Sequence, residues 1–180
     1  MELIDTHKQL EANYKKGLES WGKDQNLISQ IIQYTDLVPH ISILEIGPGK
    51  GYLSKELTSL SQHVTGIDVS ATAIQHAKKN APNAHFMNIA FEDLVVKRKY
   101  DLIICSEVLY YMKHRKDTLT KLKRSGNYLI TSNYIFEDFN IGFGSIIYEI
   151  LLRRFLLLRM NLKFSRYPFG LEIISLWKLN

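Results

Sequence analysis

Residues 41–51 read Ile41-Ser42-Ile43-Leu44-Glu45-Ile46-Gly47-Pro48-Gly49-Lys50-Gly51. A short apolar run passes into glycines at every second position. Ile41, Ile43, Leu44 and Ile46 read as a strand buried in a parallel sheet. Gly47, Gly49 and Gly51 form a turn with no side chains on its inner surface. Such a turn takes backbone dihedrals other residues resist and lets a ligand approach the main chain. Tyr52 to Leu60 follows with helix formers and an apolar face of Leu53, Leu57 and Leu60. Strand, glycine turn and helix is the unit with which doubly wound folds cradle a nucleotide-like ligand.

The spacing narrows the ligand. A dinucleotide fingerprint needs a third glycine three positions after the second, where Tyr52 stands here. The turn also lacks the Lys-Ser or Lys-Thr pair of a phosphate-binding loop. Glu45 stands two residues before the first glycine, and a carboxylate there repels a pyrophosphate but suits an ammonium or sulfonium group. The pattern E-x-G-x-G-x-G resembles the first motif of class I methyltransferases that use S-adenosylmethionine.

Outward from this motif the chain alternates apolar runs with helical patterns, which predicts an α/β architecture. Helices are expected over roughly Thr6 to Lys16, Asp24 to Tyr34, Ala71 to Lys79 and Lys116 to Lys123, with Asp24 and Ser70 as N-caps. Strands are expected over His63 to Ile67, His85 to Asn88, Tyr100 to Cys105 and Asn127 to Thr131. Ser145 to Phe155 has helical spacing. Leu156 to Lys163 fits helix or strand, and Leu171 to Leu179 alternates as a terminal strand. With Pro168 and Gly170 between them, the last two pieces can pair antiparallel at the sheet edge. The whole reads as a Rossmann-like, doubly wound, mostly parallel seven-stranded sheet with helices on both faces and an antiparallel C-terminal edge. One domain is expected, with a helical lid over 1–38, a cofactor-binding core over 39–134 and a substrate side over 135–180.

Composition bounds the function. The 180 residues are 46% hydrophobic and 23% charged, ordinary values for a globular chain. The net charge of +5 is scattered over short basic clusters that do not interleave with aromatics, so they read as solvated faces and no nucleic-acid partner is expected. The lone Cys105 cannot form a disulfide within the chain, and the N-terminus is polar and charged, so a cytoplasmic location is expected. Residues 146–160 mix bulky apolar residues with arginines, which suits a core helix running into an edge strand, a membrane-surface helix or a dimer interface. The histidines pair with no cysteines or acids at metal-ligand spacing, so no metal is expected.

Asp68 closes the second strand at the same sheet edge as the glycine turn, where doubly wound folds place an acid on the ribose hydroxyls. Ser70 stands beside it. Ser106 and Glu107 leave the fourth strand at that edge, followed by Tyr110 and Tyr111. Two adjacent tyrosines cannot both face one side of an element, so one of them is expected in the pocket. Glu107 and His114 are the candidate bases, and Tyr110 and Tyr111 can steer an acceptor or touch a sulfonium by cation–π attraction.

The segment Ser-Glu-Val-Leu-Tyr-Tyr-Met, Ser106 to Met112, with Tyr-Asp-Leu-Ile-Ile-Cys before it, closely resembles the corresponding motif of the nodulation methyltransferase (NodS-like) family. The resemblance spans roughly Tyr14 to Tyr134. It implies a small-molecule methyltransferase, with N-methylation of an amino sugar as the family's named activity; separately, a monomer or homodimer is expected. It further implies that Glu45, Gly47, Gly49 and Gly51 hold the methionine end of S-adenosylmethionine. Ile89, Ala90 and Phe91 would meet the adenine, and Ser106 the methionyl region. Tyr14 and Trp21 would close the site. Ala90 stands where related enzymes often carry an acid. The competing readings are a cofactor-binding module without turnover and a membrane-surface methyltransferase with a lipid-linked acceptor.

Overall fold

The computed structural model describes residues 6–17, 23–112, 114–136, 156–166 and 169–179. Trp21 and the helix read at 145–155 lie outside them.

Five helices are described: α1 (Thr6–Lys16), α2 (Gln25–Thr35), α3 (Tyr52–Leu60), α4 (Ala71–Asn80) and α5 (Arg115–Ser125). The strands are β1 (Ser42–Ile46), β2 (His63–Asp68), β3 (His85–Asn88), β4 (Tyr100–Ser106), β5 (Gly126–Phe136), β6 (Leu156–Arg166) and β7 (Phe169–Lys178). They form one sheet in the order β3-β2-β1-β4-β5-β7-β6. The pairs from β3 through β5 are parallel, while β5–β7 and β6–β7 are antiparallel. The order reverses at β1 and β4, and the carboxyl ends of those strands border the crevice where such sheets bind ligands.

Alternation along the strands sorts the core into two layers. Ile43, Val64, Leu102, Ile104, Ile130 and Ile174 face α2 and α3, meeting Ile28, Ile31 and Leu57. Leu44, Ile46, Ile67, Ile103, Cys105, Leu129 and Trp177 face the other way and pack on Leu119 and Leu122 of α5. Helices therefore cover both faces. α2 begins where expected because the Asp24 carboxylate accepts the Asn26 and Leu27 N–H groups at 2.9 and 3.0 Å.

Four details differ from the sequence reading. Ile41 precedes β1 and is 74% exposed, so the buried strand starts one residue later. β5 runs on to Phe136, because β7 pairs with it from Tyr128 to Phe136 and supplies a partner beyond the end of β4. The ambiguous segment from Leu156 is a strand, and its pairing with β7 settles what periodicity could not. α2 buries Ile28, Ile31 and Tyr34 against the sheet, so of the first two helices only α1 lies outside that layer.

Candidate active site

Each glycine of the turn is in the left-handed region, with φ of +74° at Gly47, +54° at Gly49 and +78° at Gly51. Only glycine enters that region without strain. Close neighbours exclude side chains as well. A Cβ on Gly47 would stand 2.9 Å from Val108, one on Gly49 2.7 Å from the Tyr14 hydroxyl, and one on Gly51 2.8 Å from the Ala77 backbone. Each glycine of the turn is thus closely approached by a neighbouring residue of the chain. α3 starts at Gly51 with no side-chain cap. A helix N-terminus in that state suits a carboxylate or other anion.

Asp68, at the end of β2, ties the turn to α4. Its Oδ2 accepts the Gly49 N–H at 3.2 Å and its Oδ1 the Ser70 N–H at 2.9 Å. A carboxylate has about four acceptor positions, so both oxygens retain capacity. Burial raises the Asp68 pKa, and the Glu11 charge adds to that, against the backbone N–H groups of Ser70, Gly49 and Val69. A carboxylate so placed gains from further donors such as a vicinal diol.

Glu45 behaves differently from the sequence expectation of an acid presented to a cationic ligand. It is 3% exposed and accepts the Ser54 hydroxyl of α3 at 2.5 Å. Its side chain falls on the α2–α3 face, the same as Ile43, because the two are two residues apart on β1. Burial, opposed by Ser54 and reinforced by the Asp68 charge, pushes its pKa up to about 7. The structure therefore places Glu45 beneath the turn, as its support.

Ser70 caps α4 by accepting the Ala73 N–H at 3.0 Å, and its own proton goes to Glu11 at 2.6 Å. Ala90 and Phe91 open the 3-10 turn after β3, with Phe91 buried. Phe91 packs in the α5-side core, so its backbone is the part left to meet a ligand. Tyr14 reaches Gly49 from α1.

At the end of β4, Glu107 adopts φ +55°. Its N–H donates to Ser132 O at 2.9 Å, and its carboxylate accepts from Ser132 Oγ at 3.0 Å and Tyr110 OH at 3.2 Å. Ser106 Oγ lies 2.9 Å from Ser132 Oγ. The Tyr110 and Tyr111 rings sit 4.5 Å apart on the following 3-10 turn. Burial first, and then the Glu107 charge, raises the Tyr110 pKa far above the ordinary value. Tyr111 is pushed up to about 12, so both phenols stay protonated. Val108 in this segment touches Gly47, which joins the cluster to the glycine turn. His114 is exposed and precedes α5 without a side-chain cap bond.

Sequence reasoning missed Glu11 and Ser132. Glu11 stands on a polar helix with nothing in its spacing to mark it. Ser132 lies in the polar run Thr131-Ser132-Asn133, one residue past the strand read from the sequence, and only the β4–β5 register, Ser106 opposite Ser132, reveals it. Among the described residues no group of histidines, cysteines and acids could hold a metal ion, and no helix is long and apolar enough to cross a membrane.

A turn carrying three left-handed glycines, a strand-end acid and an uncapped helix thus meet at the switch point of a doubly wound, Rossmann-like sheet. The model of the methyltransferase domain family matches residues 43–126. It is 30% identical over 124 residues to ribosomal RNA small subunit methyltransferase A of Mycoplasmopsis synoviae, covering 64% of this chain and 46% of that protein. It is 38% identical over 81 residues to nodulation protein S of Azorhizobium caulinodans, covering 43% of this chain and 38% of the relative. The chain thus spans less than half the length of these two relatives. Among solved structures, N-methyltransferase NodS from Bradyrhizobium japonicum WM9 with bound S-adenosyl-L-homocysteine superposes with a TM-score of 0.81 at 16% identity, covering 97% of this chain and 98% of that one. Magnesium protoporphyrin IX methyltransferase from Synechocystis PCC 6803 with bound SAM superposes with a TM-score of 0.73 at 17% identity, covering 99% of each chain. The chain therefore resembles NodS in fold and in motif.

Proposed function

We propose that the protein transfers a methyl group from S-adenosylmethionine to a nitrogen or oxygen of a small-molecule acceptor. The observation that carries this is Asp68, half-buried at the end of β2 with spare acceptor capacity and bonded to the middle one of three left-handed glycines. Asp68 takes the ribose hydroxyls. The turn and the uncapped start of α3 take the methionyl carboxylate end, with Glu45 and Ser54 bracing the turn from below. The backbone of Ala90 and Phe91 meets the adenine. Tyr14 covers the turn from α1 and helps exclude water.

When bound, S-adenosylmethionine supplies an electrophilic methyl on a sulfonium. The chain's own residues align the acceptor and manage its proton. Glu107 is the carboxylate on the acceptor side. An amine acceptor attacks in its neutral form and loses a proton afterwards, while a hydroxyl needs that proton removed as it attacks. In either case the proton passes to Glu107, which becomes the neutral acid. Tyr110 and Tyr111 border the acceptor as neutral phenols and present ring faces to positive charge. Exposed His114 is a weaker candidate than Glu107 for this task. The nodulation relatives favour an amino-sugar-like acceptor. A lid formed by α1, a cofactor core and a C-terminal substrate side belong to the same proposal.

Calorimetry with S-adenosylhomocysteine and with NAD tests the reading. Binding of the first and not the second is expected, and heat with NAD alone would overturn it. Asp68→Ala should weaken S-adenosylhomocysteine binding by about tenfold to a hundredfold, the value of hydrogen bonds to a charged group. Undiminished affinity in that variant would remove Asp68 from the site.

A further inference from the structure

Glu107 is the only non-glycine among the described residues with a positive φ. A glutamate in the left-handed region is strained, and such strain persists only where the surroundings hold it. Here one residue holds both its ends. Ser132 takes the Glu107 N–H on its carbonyl at 2.9 Å and donates its hydroxyl to Glu107 Oε1 at 3.0 Å. The β4–β5 ladder already pairs Ser106 with Ser132, so the hydroxyl bond is an addition to the strand pairing.

A proton inventory orders the cluster. A serine hydroxyl has one proton. That of Ser132 goes to Glu107, so in the 2.9 Å contact between the serines Ser106 is the donor. The chain of donors runs Ser106, Ser132, Glu107, and each bond polarises the next. Tyr110 closes the far oxygen, Oε2, at 3.2 Å. Ser106 then has no proton left for a ligand and can only accept from one.

We infer that Ser132, which is fully buried, is a positioning residue for Glu107: through the Ser106–Ser132 hydroxyl pair it holds the carboxylate fixed beside the glycine turn. The inference rests on the proposed acceptor role of Glu107 for its meaning but not for its test. Tyr110 and Tyr111 are titratable groups that face Glu107, and both are protonated across the working range.

The experiment is a carboxyl-detected NMR titration of the full chain labelled with 13C-glutamate, with the Glu107 signal assigned by its loss in Glu107→Gln. Removing a donor from an ionised carboxylate raises its pKa. Ser132→Ala should raise the Glu107 midpoint by about one pH unit. Ser132→Thr, which keeps the hydroxyl, should return it to the wild-type value. Ser106→Ala should shift it the same way by a smaller amount, and it serves alone where Ser132→Ala does not fold. An unmoved midpoint in folded Ser132→Ala or, failing that variant, in Ser106→Ala overturns the inference. Neither cofactor nor acceptor is needed. A protein that shows the shifts yet binds no S-adenosylhomocysteine refutes the proposed function and leaves the positioning role standing.

Discussion

At the residue scale the three glycines are not equivalent, although the sequence presents them as a repeat. A methyl added to Gly51 would meet the main chain of α4 at Ala77, which cannot turn aside. On Gly49 it would meet the end of the Tyr14 side chain, which can swing. Gly51→Ala should therefore cost about 1–3 kcal/mol in a denaturant titration, from strain and overpacking together. Gly49→Ala should cost less stability and instead displace Tyr14. Glu45 offers a second test. Its folded pKa is raised to about 7 from an ordinary 4.5, so between those values the folded state holds a proton that the unfolded state has released. Stability must then fall as pH rises through that window, by an amount on the order of a few kcal/mol. Glu45→Gln should flatten that fall. Parallel melts at pH 5 and pH 7.5 check it, and an equal slope in both proteins would mean that Glu45 is ionised throughout.

At the element scale α1 is pinned by one side chain. The Glu11 carboxylate accepts the Ser70 hydroxyl at 2.6 Å, the Thr72 hydroxyl at 2.8 Å and the Thr72 N–H at 3.3 Å, all at the start of α4. These bonds, Ser70's above all, hold its pKa down at about 2. A depressed carboxylate contributes stability that is complete above its ordinary pKa and fades as pH falls toward the lowered one, so the pin persists at any ordinary pH. Glu11→Ala should raise amide exchange across residues 6–17 severalfold and leave β1 and β4 protected, as hydrogen-exchange mass spectrometry would show. Elements such as α3 and β1 were legible because each announces itself locally: apolar periodicity, a cap residue, a glycine stop. Asp68 was legible because it follows a strand at a known distance from a glycine turn. Glu11, Ser132 and the buried direction of Glu45 were not. Each depends on which face or register a residue takes relative to a distant element, and a one-dimensional pattern carries that only after the pairing is known.

At the scale of the whole molecule the C-terminal strands decide whether the methyltransferase core stands. The family match ends at residue 126, yet the core does not. β7 lies between β5 and β6 and sends side chains to both layers: Ile173, Ile174 and Leu176 are buried, and Trp177 is 1% exposed in the α5-side core. The Trp177 indole N–H donates to Thr131 Oγ1 at 3.2 Å, which fixes the ring against β5. Leu179 N–H continues the tie to Asn127 O at 2.8 Å. Emptying the Trp177 site should cost about 3–5 kcal/mol, a large share of the roughly 5–15 kcal/mol by which domains are stable. Trp177→Ala should therefore melt well below the parent protein. Trp177→Phe, which keeps most of the volume but abandons Thr131, should fall between the two. A chain ending at residue 168 loses β7 altogether and leaves one edge of β5 without a partner, so it should show no cooperative transition by circular dichroism. If that shortened chain melted sharply and bound S-adenosylhomocysteine, the parallel strands would be the autonomous unit and β7 only an addition to it.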